Sequence, residues 1–464
     1  MHILVLGAGR SAGYLIEYLA VKCDDRGWYM TVCDQDFTRL QHSFALNDRV
    51  TLKQVDVTDE QILQSIIGEH HVVVSLLPPF LHVIVAKLAI NSGVSVFTAS
   101  YISEEMRGLD ALAKEKGVLL MNEMGLDPGI DHLSANAILD SIDHENKGLP
   151  PDERWKIISF ESHCGGLVYQ EDCTENPWGY KFSWNPTNVI LAGQGSDSIY
   201  REEGRVVKIS PLELFEKAES ISISGIGEFD VYANRDSLGY SAIYGLDATD
   251  KLLRGTLRRS GYCKAWQQLI LANLTSTDIC FPDYVDSAQK AFLYVTGFEN
   301  KKMWVEYLVK EYAIDTAVLD KLDWLPLGEN DFWFAKVESD PRWFKGKTAA
   351  QFLERLLLVC WKLNEHDRDE VVMHHRFALV NDKGNKKIIT SSLQVVGEGG
   401  DRTAMSKTVG LPLAIGLVAY LDGDQTEAGV AIPWGKRWYS IVLKELERFG
   451  VCFSEKVVKG IVED

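Results

Sequence analysis

His2-Ile3-Leu4-Val5-Leu6-Gly7-Ala8-Gly9-Arg10-Ser11-Ala12 joins an apolar run directly to the pattern GxGxxA. The run His2–Leu6 predicts a strand buried on both faces, and Ala12–Val21 predicts the helix that follows it. Gly7 permits the tight turn between them, Gly9 lets backbone approach a pyrophosphate, and the small Ala12 lets the helix pack close to the sheet. The helix N-terminus is then aimed at the phosphates. Gly7, Gly9, Arg10, Ser11 and Ala12 are therefore candidate cofactor-binding residues.

Outward from that turn the same rhythm repeats. Tyr29–Cys33, Thr51–Val55, Val72–Leu76, Val94–Thr98 and Val118–Met121 predict further strands. Glu60–Ile67, Leu81–Asn91 and Glu104–Lys116 predict helices between them. Alternating strands and helices mean a parallel sheet with crossover helices, so the fold class is α/β with an N-terminal doubly wound Rossmann sheet. Asp34 follows the second strand, where a carboxylate accepts from both ribose hydroxyls and repels a 2′-phosphate. The competing reading of Asp34 is a turn or helix cap, helped by Asp36. Asp34 tilts the cofactor towards NAD, while Arg10 and Arg39 lie close enough in sequence to hold the phosphate of NADP. Leu76, in Ser75-Leu76-Leu77-Pro78-Pro79, ends the fourth strand and should border the cofactor, unless the segment is simply a strand stopped by proline.

The fifth and sixth strands end in Thr98-Ala99-Ser100-Tyr101 and Asn122-Glu123-Met124-Gly125-Leu126-Asp127-Pro128-Gly129-Ile130-Asp131-His132. Both loops should emerge at the carboxyl edge that carries the glycine turn. Asp127 reads as a helix N-cap with Pro128 at the first helical position, which does not exclude chemistry. A polar stretch around 143–154 marks a boundary. Beyond it, about 156–261 reads as an antiparallel sheet with loops and about 265–364 as helical. Strand-like runs follow at Glu370–Val380 and Lys387–Val396, then helices near Ala404–Leu421 and Tyr439–Phe449. Arg254 and Arg258 share a face in either a strand or a helix. Paired guanidinium groups suit carboxylates held bidentately, although surface arginines answering local acids would show the same pattern.

GAGRSAG, LLPPFLH, TASYIS, NEMGLDPGIDH, CGGL, NPWGYKFSW, NRDS and RGTLRRSGY stand in an order that resembles the saccharopine dehydrogenase (L-glutamate-forming) family, also called saccharopine reductase. TSSLQVVGEGG, TAMSKTVGLPLAIGLVAYLDG and GVAIPW extend the resemblance to nearly the whole chain, weakest across about 275–365. It implies a Rossmann domain at 1–130, a mixed α/β substrate domain at 131–264 plus about 368–425, a smaller helical domain at 265–367, and a C-terminal segment at 426–464 returning to the Rossmann domain. It also implies a reaction: the amine of L-glutamate condenses with 2-aminoadipate 6-semialdehyde, and hydride from NAD or NADP in reduced form converts the imine to saccharopine. On the same footing, Ser100, Tyr101, Arg235, Thr256, Leu257 and Arg258 match substrate-binding positions. Leu126, Asp127, Pro128 and Trp184 match cofactor contacts. Tyr101, Asp127 and Cys164 match residues near the reacting carbon, and Lys181 is a further candidate by residue type alone. The segment Val168–Glu175 departs from the family pattern, which bears on substrate choice.

Composition narrows the alternatives. The chain has 464 residues, with 48 Lys plus Arg against 66 Asp plus Glu, a formal net charge of −18. That balance disfavours nucleic acid and anionic membrane surfaces as partners. Eight scattered cysteines without a CxxC pair read as reduced thiols, no signal peptide is evident, and no apolar run reaches the ~18 residues of a membrane span. A cytoplasmic protein is expected. His and Cys spacing offers no metal site, and tryptophans such as Trp324, Trp333 and Trp343 read as packing. The partners expected are a small-molecule substrate and a second copy in a homodimer. Two other readings stay open: another imine-reducing dehydrogenase of the opine or carboxynorspermidine type, and an NAD(H)-binding sensor without turnover.

Overall fold

The computed structural model describes residues 1–173, 175–327, 343–423 and 425–460, apart from the side chains of Arg39, Gln41 and Ser43. The expectations for the Arg39 side chain and for Trp333 and Thr174 lie outside the described residues. The strands in chain order are β1 His2–Leu6, β2 Tyr29–Asp34, β3 Val50–Gln54, β4 Val72–Ser75, β5 Ser95–Thr98 and β6 Leu119–Met121. Then come β7 Lys156–Val168, β8 Ser198–Glu202, β9 Arg205–Ile209, β10 Glu219–Ile223, β11 Gly227–Ala233 and β12 Lys251–Arg259. The last four are β13 Asp369–Val380, β14 Lys386–Val396, β15 Gly429–Ala431 and β16 Phe453–Lys459.

Seven strands form a parallel sheet in the order β15-β6-β5-β4-β1-β2-β3, with the order reversing at β1. Helices Gly13–Arg26, Glu60–Gly68 and Pro79–Ser92 supply crossovers, and β1 and β4 are buried on both faces as their continuous apolar runs require. The expected helix at 104–116 is instead two, Glu104–Arg107 and Asp110–Lys116.

The chain separates into two compact units, one of 1–155 with 393–454 and one of 156–392 with 455–464. This corrects the sequence-based grouping of about 368–425 with the substrate domain. Residues 393–425 belong with the Rossmann sheet because their polar groups are answered there. Tyr14 donates to Glu398 at 2.6 Å, Arg26 grips Asp422 at 2.6 and 3.0 Å, and Ser95 and Tyr420 share a hydrogen bond of 2.9 Å. The C-terminal segment also divides: β15 extends the parallel sheet beside β6, whereas β16 pairs with β14 in the other sheet.

Helix Ala404–Leu421 corrects one further expectation. By length and mean hydropathy (1.5) it could cross a membrane, yet 83% of it is buried, which makes it the core helix of the first unit.

The second unit holds a mixed sheet in the order β10-β11-β12-β7-β13-β14-β16, with β8 and β9 attached beside β12. Only β12 and β7 run parallel among its registered pairs. The helices at 262–324 and 349–360 do not form a separate body as expected. Trp266, Phe292, Trp304, Leu322, Phe352 and Trp361 share one continuous apolar core with Leu257 and Tyr232 of this sheet. Burial of that common surface is what makes sheet and helices one unit.

Candidate active site

The glycine turn is built from three strand ends. Gly7 has φ 104°, and a Cβ there would stand 3.1 Å from the Leu76 carbonyl oxygen, so only glycine fits. Gly7 N donates to Cys33 O at 2.9 Å and Leu76 N to Leu6 O at 2.8 Å, which places the ends of β2 and β4 beside the turn. Asp34 closes the arrangement. Its Oδ2 accepts from Ala8 N at 2.5 Å and its Oδ1 from Gln35 N and Asp36 N at 2.6 and 3.0 Å. It is therefore a turn residue, as one reading of the sequence has it, and also a clamp on the glycine loop.

Ala12 is 1% exposed and packs inward, whereas Gly9 and Arg10 are exposed, with open space where a Gly9 Cβ would stand. A pocket lined by Gly9, Arg10, Leu40, Phe44 and Asp401 adjoins them. An uncovered backbone turn beside a carboxylate at the end of β2 is an arrangement that suits the pyrophosphate and ribose of a dinucleotide.

The loops after β5 and β6 meet at the same edge. Tyr101 Oη donates to Asp127 Oδ1 at 2.9 Å. Ser100 Oγ is 2.7 Å from His82 Nε2, and His82 Nδ1 is 2.9 Å from Ser75 Oγ. His82 is 4% exposed, and burial pushes its pKa down to about 4, so the ring is a neutral bridge between two hydroxyls. Leu126 is buried.

The N-cap expectation for Asp127 is corrected. The helix begins at Ile130 with Gly129 at the cap, and the Asp127–Pro128 peptide is cis. The following residue makes that start necessary: Gly129 takes φ 145°, with its backbone pressed onto Gly125.

In the second unit, Cys164 and Thr256 are register partners on β7 and β12, and Thr256 donates to Asn234 Oδ1 at 2.7 Å. Arg235 is exposed and donates to the Gln194 carbonyl at 3.2 Å, and Trp184 is 39% exposed. Leu257 lies wholly inside the core.

Arg254 and Arg258 are 2% and 4% exposed, so they are not the solvated charged face that one reading allowed. Arg254 lies over the Tyr240 ring, and Arg258 over the rings of Tyr180, Tyr232 and Tyr262 at 5.0–5.6 Å. Arg258 also donates to Leu257 O and Tyr232 Oη, and its Nε has no partner. Lys181 pairs with Asp367 at 2.6 Å and serves that bridge.

Sequence reading missed His82 and the role of Glu123, Asp131 and His132. His82 finds Ser75 and Ser100, and His132 finds Glu123, across element boundaries, and no local spacing announces those contacts. Two of the tyrosines around Arg258 were equally hidden, since Tyr180 and Tyr232 come to it only through the fold, whereas Tyr262 follows it by four positions.

Two family models match the chain: "Saccharopine dehydrogenase NADP binding domain" over residues 3–121 and "Saccharopine dehydrogenase C-terminal domain" over residues 125–451. The chain is 31% identical to saccharopine dehydrogenase [NADP(+), L-glutamate-forming] of Saccharomyces cerevisiae, with 98% of this chain and 99% of that protein covered. It is also 31% identical, with the same coverage, to the protein of that name from Pyricularia oryzae. The mitochondrial alpha-aminoadipic semialdehyde synthase of Bos taurus is 29% identical, with 97% of this chain and 47% of that longer protein covered. Among solved structures, the apo saccharopine dehydrogenase (L-Glu forming) from Saccharomyces cerevisiae superposes with a TM-score of 0.82 at 28% identity, covering 98% of this chain and 99% of that one.

Proposed function

The chain belongs to the saccharopine dehydrogenase family, and from that premise we propose that it interconverts saccharopine with L-glutamate and 2-aminoadipate 6-semialdehyde in lysine metabolism. The observation that carries the reading is the Tyr101–Asp127 pair at the carboxyl edge of the sheet that bears the glycine turn, in a chain aligned end to end with enzymes of that name.

Gly7, Gly9, Arg10, Ser11, Ala12, Asp34 and Leu76 would hold NAD(P), with Leu126, Asp127 and Pro128 as further contacts. That group, when bound, accepts hydride from the carbon of the secondary amine or returns it. The ribose-side carboxylate of Asp34 favours NAD over NADP.

The chain's own residues supply the rest. In the oxidative direction the substrate amine loses a proton as its C–N bond becomes an imine, and water then adds to release glutamate. The Tyr101 hydroxyl, which donates to Asp127, would take that proton while passing its own to the Asp127 carboxylate, and the same relay run backwards would return a proton to nitrogen in the reverse direction. Ser100, held by His82, presents a hydroxyl next to it. The guanidinium groups of Arg235 and Arg258, with the hydroxyl of Thr256 and the backbone at Leu257, are the carboxylate-binding set, and Cys164 sits beside Thr256. The protein is read as cytoplasmic and as a homodimer.

Absorbance of reduced nicotinamide, followed with saccharopine plus NAD and then NADP, tests the reading. Turnover with saccharopine is expected, faster with NAD. Turnover only with other secondary amines would make it a different imine-reducing dehydrogenase, and cofactor binding without turnover would make it a sensor.

A further inference from the structure

The two loops that present Tyr101 and Asp127 are anchored to one buried cluster. Ile102 N, one residue past Tyr101, donates to Glu123 Oε1 at 3.0 Å. Gly129 N, two residues past Asp127, donates to Asp131 Oδ1 at 2.6 Å. The remaining oxygens of both carboxylates face the same imidazole, with His132 Nε2 2.9 Å from Glu123 Oε2 and His132 Nδ1 3.8 Å from Asp131 Oδ2. All three side chains are buried, at 0–4% exposure.

Two carboxylates withdrawn from water are costly unless hydrogen-bonded and paired, so this cluster has one low-energy arrangement rather than many. Glu123 also holds a backbone φ of 59°, unusual for a residue other than glycine, and its side chain makes contacts that fix it there. Tyr101 itself is half exposed.

We propose that His132 is a positioning residue for the Tyr101–Asp127 pair: from the helix that follows the Asp127 loop, its Nε2 donates to the Glu123 carboxylate that holds the Tyr101 loop, and this contact fixes the distance between the two loops. The link runs Ile102–Glu123–His132, and it rests on the proposed function only for the meaning of the pair, not for the geometry. The 2.9 Å contact requires a hydrogen on His132 Nε2, because the Glu123 oxygen facing it is an acceptor. Glutamine keeps a donor at that reach and asparagine does not.

The test compares His132→Asn, His132→Gln and Tyr101→Phe in the full-length protein. Reduced-nicotinamide binding is followed by fluorescence, saccharopine turnover by absorbance, and the Tyr101 environment by the fluorine resonance of a 3-fluorotyrosine at 101. His132→Asn should lower kcat about tenfold or more with cofactor affinity within about twofold of the parent, and should move the fluorine resonance. His132→Gln should restore most of both. Tyr101→Phe should add little loss in the His132→Asn background, since both act on one pair.

Parental kcat and resonance in His132→Asn, or full additivity with Tyr101→Phe, would overturn the proposal. If His132→Asn does not fold, Glu123→Gln, which keeps the acceptor for Ile102 N, takes its place with the same expectations. If the parent itself does not turn over saccharopine, the proposed function fails, and the resonance alone still decides the positioning role.

Discussion

The Tyr101 phenol donates to the Asp127 carboxylate at 2.9 Å across 26 positions of sequence, joining the loop after β5 to the loop after β6. In the proposed reaction this pair handles the proton that leaves the substrate nitrogen. Breaking it should therefore change how the rate depends on pH. Asp127→Asn is expected to lower kcat/KM for saccharopine about ten- to hundredfold and to alter its pH profile. Superimposable profiles for the variant and the parent would remove the pair from proton transfer.

The proposed preference for NAD rests on Asp34. Its carboxylate accepts from Ala8 N, Gln35 N and Asp36 N at the end of β2. Asp34→Ser removes the negative charge that opposes a 2′-phosphate. The ratio of kcat/KM for NAD over that for NADP should fall about tenfold or more, and an unchanged ratio would contradict the assignment.

Arg235 and Arg258 should separate binding from stability. Arg235 is exposed and holds only a carbonyl, so Arg235→Ala should raise the KM for saccharopine about tenfold and leave Tm within a degree or two. Arg258 is enclosed by three tyrosine rings, and Arg258→Ala should lower both activity and stability, by about 3 kcal/mol in denaturant unfolding. Equal thermal stability of the two variants would refute the distinction.

His82 gives a signed pH effect. Burial holds its pKa at about 4, against about 6.5 in the unfolded chain. Above pH 6.5 the ring is neutral in both states. Between about 6.5 and 4 only the unfolded chain takes the proton, so stability falls with pH through that window, by at most about 1.4 kcal/mol per unit. His374, also held at about 4 by burial and then by His163, adds a similar loss. Denaturant melts at pH 7.5 and 4.5 should show a smaller drop for His82→Gln than for the parent. Equal drops would show that the imidazole is not the source.

Gly129 is the backbone test of the same loop. A Cβ there would stand about 2.1 Å from the Gly125 carbonyl oxygen at a φ of 145°. Neither clash is relieved by rotating a side chain. Gly129→Ala should cost about 3 kcal/mol or more and abolish turnover, checked by thermal unfolding and the saccharopine assay.

Much of the first unit was legible residue by residue. β1 begins and ends where the apolar run does, the crossover helices follow their expected strands, and the glycine turn stands where GxGxxA places it. The errors have physical causes. Asp127 and Pro128 carry helix-start signals, but the chain needs Gly129 in a conformation closed to other residues before the helix can begin. Residues 393–425 follow strand β13 in sequence, yet their polar partners Tyr14, Arg26 and Ser95 lie more than 290 positions away.

Local chemistry in the sequence by itself determined the parallel sheet, the nucleotide turn and the chemical types of the site residues, because strand burial, glycine turns and carboxylate placement are read over a few neighbouring positions. Only the tertiary structure decided which side chains work together. It set Tyr101 on Asp127, Ser100 on His82, Glu123 on His132, and Arg258 among Tyr180, Tyr232 and Tyr262. Apart from the half-exposed Tyr101, those partnerships arise when buried polar groups must find one another away from water, and that requirement leaves no periodicity along the chain.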